Sequence, residues 1–305
     1  MNTHAEKIAV IGAGSVGSTV AYTLLLKNLA SEIVLIDVNE TREEGEVMDM
    51  HDALPFVETG EIKRGDFKDA SDADIIIITA GLPQKSGETR LDLTKKNKDI
   101  VQSIFAQITQ IKESAIIIMV TNPVDVMTFL AQEVSGLAKN QVLGTGTGLD
   151  TARLKSELSE MLNVNASDVE GFVLGEHGDS GFIAWSTVKV GGSDIKKVVT
   201  DPAIFEKIEN DVKQEAYNII SKKGATFYGI ASVVADLVQT ILLDENKIIA
   251  VSTLVDNWNG VNDICMGVPS VINRSGVKEL WNIELEPSEI EKLQKSAEIL
   301  KGYLS

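Results

Sequence analysis

Asp150 and Arg153 stand three residues apart near the start of a helix-like segment. His177 sits in the turn-like run Gly175-Glu176-His177-Gly178-Asp179-Ser180, directly after the apolar Phe172-Val173-Leu174. The three-residue spacing puts the carboxylate and the guanidinium on one helix face, so both can enter one pocket. A loop histidine can hold or release a proton near neutral pH if a carboxylate fixes its tautomer, and Asp150 is the candidate partner. Arg90 ends the run Ala80-Gly81-Leu82-Pro83-Gln84-Lys85-Ser86-Gly87-Glu88-Thr89-Arg90. Its glycines and proline suit a loop that closes over a small molecule, with Gln84, Lys85 and Arg90 as the polar groups. Oxidation of a 2-hydroxy acid needs these parts: a fork for the carboxylate (Arg153), a base for the hydroxyl proton (His177), and a donor that polarises the ketone in reverse (Arg90). Taken alone, Asp150 and Arg153 read more readily as a surface ion pair of little worth than as a functional pair. His4 and His51 have no evident partner in the sequence, and no chemistry is assigned to them.

These residues need a scaffold, and the spacing of apolar runs supplies one. Residues 8–11, 33–36, 75–78 and 116–120 are β-rich and apolar, separated by segments long enough for helices, which suits a parallel sheet covered on both faces. Residues 16–26 repeat apolar side chains at helical spacing, so the chain opens with a βαβ unit. The loop from Ala80 and the run Thr121-Asn122-Pro123-Val124-Asp125 both follow strands, at the carboxyl ends where such sheets bind ligands. Asn122 there can orient a ligand or simply form an Asn-Pro turn. Between the first strand and helix lies Gly12-Ala13-Gly14-Ser15-Val16-Gly17, with Asp37 about twenty residues beyond. Glycines at that turn let backbone N–H groups approach a pyrophosphate, and the acid accepts from ribose hydroxyls while repelling a 2′-phosphate. NAD is therefore expected in preference to NADP, although FAD can use the same fingerprint.

The expected fold is α/β: an N-terminal Rossmann domain with a doubly wound parallel sheet over residues 1–143, then a C-terminal α+β substrate domain over 144–305. The glycine-rich stretch 144–148 marks the boundary and precedes a helix over 150–162. Residues 205–222 read as a helix dense in charge, a solvated face without assigned chemistry. Ser288-Glu289-Ile290-Glu291, behind Pro287, reads as a capping box that starts the last helix.

Composition excludes several classes of function. A net charge of -17 opposes nucleic acid and anionic lipid surfaces. The one cysteine, Cys265, cannot form an internal disulfide, no apolar leader precedes Lys7, and the apolar stretch 230–243 is short and interrupted by Asp236. A cytoplasmic protein without a metal site is expected.

As a set, these glycine, loop, Asn-Pro, Leu149-Asp150-Thr151-Ala152-Arg153 and Gly175-Glu176-His177-Gly178-Asp179 motifs closely resemble the L-lactate/malate dehydrogenase superfamily, over essentially the whole chain. The resemblance implies that Arg153 binds the substrate carboxylate and that His177 with Asp150 relays the proton. It also implies that Arg90 polarises the carbonyl and that Asn122, its bond to Pro123 cis, joins the nicotinamide and substrate site. Further cofactor residues implied are Gly12, Gly14, Val16, Gly17, Asp37, Thr79, Ala80, Gly81, Asn97, Thr121 and Asn122. Members acting on malate carry arginine at the place of Gln84, so this neutral residue implies lactate, as does Thr226 with Ile230 near the nicotinamide. The run Phe182 to Val188 is similar instead to L-2-hydroxyisocaproate enzymes, whose longer active-site loop this chain lacks. Members activated by fructose 1,6-bisphosphate carry arginine and histidine where this chain has Lys155 and Glu170, so activation is expected to be weak or absent. A homo-oligomer is implied, a tetramer before a dimer. No segment ahead of Lys7 is expected to form a swapped arm.

Overall fold

The computed structural model describes residues 6–58, 60–83 and 90–304, with Arg90 described by its backbone alone. In the first half, six short strands rich in isoleucine and valine form β1 (Lys7–Ile11), β2 (Glu32–Ile36), β3 (Glu61–Arg64), β4 (Ile75–Ile78), β5 (Ile116–Met119) and β6 (Val142–Gly144). All pair in parallel, and both faces are covered, so every residue of Ile75–Ile78 is buried. Branched side chains fit such a two-sided pleated surface. Helices α1 (Ser15–Leu26), α2 (Glu40–His51), α3 (Arg90–Gln107) and α4 (Val124–Val134) link the strands. His51, unassigned from sequence, has its Nε2 2.6 Å from the Ile62 carbonyl oxygen and so ties α2 to β3.

The second half opens with α5 (Gly148–Leu162), then the short strands β7 (Val169–Glu170), β8 (Val173–Leu174), β9 (Phe182–Ile183), β10 (Lys189–Val190) and β11 (Ser193–Asp194). It continues through α6 (Ile195–Val198), α7 (Pro202–Lys223) and α8 (Tyr228–Leu242) to β12 (Lys247–Val255), β13 (Ile264–Asn273), β14 (Gly276–Leu280) and α9 (Pro287–Leu304). The antiparallel β12–β14 unit does not stand apart. Ser252 pairs with Gly144, which gives one nine-stranded sheet in the order β14-β13-β12-β6-β5-β4-β1-β2-β3. Helix α8 buries Ala231, Val234 and Val238 with Val20 and Leu24 of α1 in one core. On the order of 1.5–3 kcal/mol per large apolar side chain then binds the two halves together.

The last helix starts one step earlier than the sequence motif indicates. Pro287 is the first helical residue, so Ser288 lies inside the helix; the cap is Glu286, whose N–H donates to Glu289 Oε2 at 2.9 Å. Proline lacks the N–H that a first-turn residue leaves unpaired, which makes it the better first residue.

Candidate active site

Strand order reverses around β1, which lies between β2 and β4, and the carboxyl ends of β1 and β4 meet there: the Thr79 and Ala80 N–H groups both donate to the Ile11 carbonyl. The three glycines of the turn have different steric reasons. A Cβ on Gly17 would fall 1.7 Å from the Gly12 carbonyl oxygen, and one on Gly12 would fall 2.7 Å from the Ala80 nitrogen. A Cβ on Gly14 would meet nothing within 4 Å. The space above Gly14 is open, and α1 begins beside it with no side-chain cap and no acid in its first turn. Free helical N–H groups and a positive dipole end therefore face open space, the setting in which a pyrophosphate binds. Asp37 accepts from Ala13 N–H at 2.6 Å and from Asn39 N–H at 2.8 Å, which holds its carboxylate at the edge of the same turn. These features fit a dinucleotide with free ribose hydroxyls.

Thr79, Ala80, Gly81, Thr121 and Asn122 line the two strand ends next to this turn. Thr121 Oγ1 donates to the Ala80 carbonyl at 2.8 Å, and a Cβ on Gly81 would fall 2.6 Å from Thr121 Cγ2, so the two ends touch. Asn97 is buried; its Oδ1 accepts from Leu82 N–H at 2.8 Å and its Nδ2 donates to the Asn122 carbonyl at 2.7 Å. It brackets the strand ends with its own side chain. The Asn122–Pro123 bond is cis and Asn122 is exposed, whereas Val16 is half-buried against the α1 core. Gln84 and the Arg90 side chain lie outside the described residues.

The catalytic candidates meet on the other half. His177 Nδ1 lies 2.6 Å from Asp150 Oδ2, and Arg153 Nη1 donates to Asp150 Oδ1 at 3.2 Å. With the carboxylate accepting a hydrogen bond from Nδ1–H, Nε2 is the ring nitrogen left unengaged. Burial disfavours a charged imidazole, but the charge and hydrogen bond of Asp150 win, and the His177 pKa lies above its ordinary value. The same pair works in reverse on Asp150: burial opposes its charge, yet His177 and Arg153 hold its pKa below the usual carboxylate range. The loop carrying His177 is tied at successive residues. Gly175 and Gly267 of β13 exchange N–H···O bonds at 3.0 and 2.8 Å, and the Glu176 N–H donates to Ser296 Oγ at 2.8 Å. Gly267 has to be glycine because a Cβ there would fall 2.3 Å from Thr147 Oγ1.

Sequence reasoning missed two groups. Asp125, in the first turn of α4, accepts from the His177 N–H at 2.8 Å, so the Asn-Pro strand end and the histidine loop are joined directly. Burial pushes its pKa up to about 6, with the His177 N–H and imidazole pulling the other way. The other is Glu215 of α7, the helix read as a solvated face; its Oε2 lies 3.6 Å from Arg153 Nε. An acid in the first turn after an Asn-Pro strand end was a usable signal for Asp125, but nothing local distinguishes Glu215 from its acidic neighbours.

Thr226 is half-buried between α7 and α8, and Ile230 is buried at the start of α8. Phe182 and Trp185 sit in apolar cores, Trp185 edge-on to Phe205 at 4.7 Å. Among the described residues no cluster of His, Cys, Asp or Glu could hold a metal ion, and no helix is long and apolar enough to cross a membrane.

Known proteins match along the whole chain. Residues 6–144 match the lactate/malate dehydrogenase NAD binding domain, and residues 147–305 match the lactate/malate dehydrogenase alpha/beta C-terminal domain. An L-lactate dehydrogenase of Acetivibrio thermocellus is 44% identical over 305 residues, which is 98% of this chain and 96% of that protein. One from Clostridium botulinum is also 44% identical, with the same coverage. Among solved structures, the minor L-lactate dehydrogenase from Enterococcus mundtii in its ligand-bound form superposes with a TM-score of 0.95 at 37% identity, covering 98% of each chain. A lactate dehydrogenase from a Medee basin deep-sea metagenome library superposes at 0.94, also at 37% identity and 98% of each chain.

Proposed function

This chain belongs to the lactate/malate dehydrogenase family, and from that premise we propose that it is an NAD-dependent L-lactate dehydrogenase that interconverts pyruvate and L-lactate. The observation that carries the reading is the Asp150–His177 contact of 2.6 Å with Arg153 bonded to the same carboxylate. NAD, when bound, supplies the hydride acceptor, and NADH the donor. Arg153 holds the substrate carboxylate by a charge-assisted fork, and Asn122 orients the reacting end from the β5 terminus. Protonated His177 gives its Nε2 proton to the pyruvate carbonyl oxygen as that oxygen becomes a hydroxyl, and the Asp150 carboxylate stabilises the imidazolium until then. In lactate oxidation the neutral imidazole takes the proton back. The Arg90 side chain completes the set by polarising the carbonyl, and Thr226 lines the far wall.

Gln84 places no cation where a second substrate carboxylate would sit. Leaving that carboxylate unpaired costs on the order of 3 kcal/mol, roughly a hundredfold against oxaloacetate. Residues 1–143 form the nucleotide half and 144–305 the substrate half of this proposal. The protein acts in the cytoplasm, reoxidising NADH in fermentation and glycolysis, as a homo-oligomer that is a tetramer in preference to a dimer. Neither nucleic acid nor membrane is a partner.

The test is NADH loss measured separately with pyruvate, oxaloacetate and 2-oxoisocaproate. Pyruvate is expected to show the highest kcat/KM, while preference for oxaloacetate would overturn the reading and preference for 2-oxoisocaproate would move it to a broader 2-hydroxyacid dehydrogenase. His177→Gln is expected to keep NADH binding and lose roughly 10²–10⁴ in turnover. Turnover that survives that change refutes the assigned mechanism.

A further inference from the structure

Helix α7 brings one carboxylate to the substrate end of the site. Arg153 is only 6% exposed and is flanked by two acids: Asp150 at Nη1, 3.2 Å away, and Glu215 beside Nε, 3.6 Å away. The first is a hydrogen bond. The second is too long for one and is an ion pair only. Asp150 is already committed, since it also holds the His177 imidazole at 2.6 Å. Glu215 has no such duty: its side chain is 36% exposed and makes no hydrogen bond with a described residue. Burial raises its pKa and Arg153 lowers it, with Glu157 and Asp150 adding to the rise. Those two acids and Arg153 come from α5, which packs against α7. Nη2 of Arg153 has no partner among the described residues and is the nitrogen open to an incoming anion.

We propose that Glu215 is a specificity-determining residue of the 2-oxo acid pocket, its carboxylate beside Arg153 admitting one substrate carboxylate and opposing a second. The proposal rests on reading Arg153 as the substrate's carboxylate fork. A monocarboxylate arriving at Nη2 joins Asp150 and Glu215 around one cation. Glu215 is the member that gives way, because its contact is long and it has solvent to turn toward. A dicarboxylate brings another negative charge into the same pocket, where the Glu215 carboxylate repels it. Selectivity against oxaloacetate therefore has two sources: the missing cation at Gln84, and a repelling charge at Glu215. Repulsion and lack of attraction are independent contributions to a difference in affinity.

Glu215→Gln and Glu215→Ser test this in the intact protein, with kcat and KM measured for pyruvate and oxaloacetate beside NADH affinity and Tm. The pyruvate KM is expected to fall roughly two- to fivefold, the scale of a partly exposed ion pair, with the effect on KM rather than kcat. The oxaloacetate-to-pyruvate ratio of kcat/KM is expected to rise roughly two- to fivefold at low salt and less at high salt. A ratio that stays unchanged in both variants overturns the proposal, and so does an equal loss for both substrates with a lowered Tm, which marks a packing role. Arg153→Lys tests the underlying reading separately: an unchanged pyruvate KM there refutes the fork, whatever the Glu215 variants do.

Discussion

At His177, burial pushes the imidazole toward neutrality, and the Asp150 carboxylate pushes it harder toward charge, so its pKa is raised. A raised folded-state pKa means that the stabilisation is complete below the ordinary value near 6.5 and fades as pH rises through the raised one. On the proposed mechanism the same sign governs catalysis: pyruvate reduction would need the imidazolium and persist at neutral pH, whereas lactate oxidation would need the neutral ring and increase as pH rises. Asp150→Asn removes the opposing charge and leaves burial in control. The descending limb of kcat/KM for pyruvate is then expected to move to lower pH, with reduced turnover at pH 7. A pH profile that does not move would show that Asp150 does not set the proton's affinity. The residues of this pair were legible from sequence because each sits in a recognisable local setting, a helix start and a glycine turn. Their union was inferred from chemistry, since nothing in the sequence between them states that the side chains meet.

Within the β1–turn–α1 element, one motif holds glycines of two kinds. Gly17 is required by the chain itself, because its Cβ would collide with the Gly12 carbonyl; Gly14 meets only open space. Gly17→Ala is accordingly expected to lower Tm, since rigid backbone cannot yield at 1.7 Å. Gly14→Ala is expected to leave Tm unchanged and weaken NADH binding, because the added methyl occupies the room left for the pyrophosphate. Thermal unfolding and NADH fluorescence titration on both variants separate the two roles. Equal effects of the two substitutions on Tm would refute the distinction. The element itself could be read from sequence, as strand and helix periodicity are local and the glycines mark the turn between them. The start of α9 was misplaced because Pro287 outranks Ser288 as an initiator only once Glu289 folds back to the Glu286 N–H.

Across the whole molecule, the β12–β14 unit continues the parallel sheet past Gly144, so the two halves share a backbone as well as an interface. Long-range assembly also sets the charges around Lys155. Lys155 is half-buried, its pKa lowered by burial and by Lys247 while Glu170 and Asp236 oppose that shift, and Lys247 already pairs with Asp236 at 2.5 Å. Each lysine thus has an acid nearby to compete with an added phosphate. Fructose 1,6-bisphosphate is expected to leave the pyruvate KM of the purified protein unchanged, as steady-state assays with and without the sugar phosphate will show. A marked fall in KM would mean that the ion pairs open for an anion.

The amino-acid sequence determined by itself what depends on neighbours along the chain: the alternation of strands and helices, the glycine turn with Asp37, the strand-end loops, and the helix face that carries Asp150 and Arg153. Only the tertiary structure decided which distant groups converge. It placed Asp125 under the His177 backbone, made Asn97 a bracket for Asn122, and turned Glu215 from one charge among many on α7 into a neighbour of Arg153. The physical reason is that periodicity and turn chemistry are short-range, whereas those contacts depend on how α4, α5, α7 and the histidine loop dock on a shared core, which no local pattern encodes.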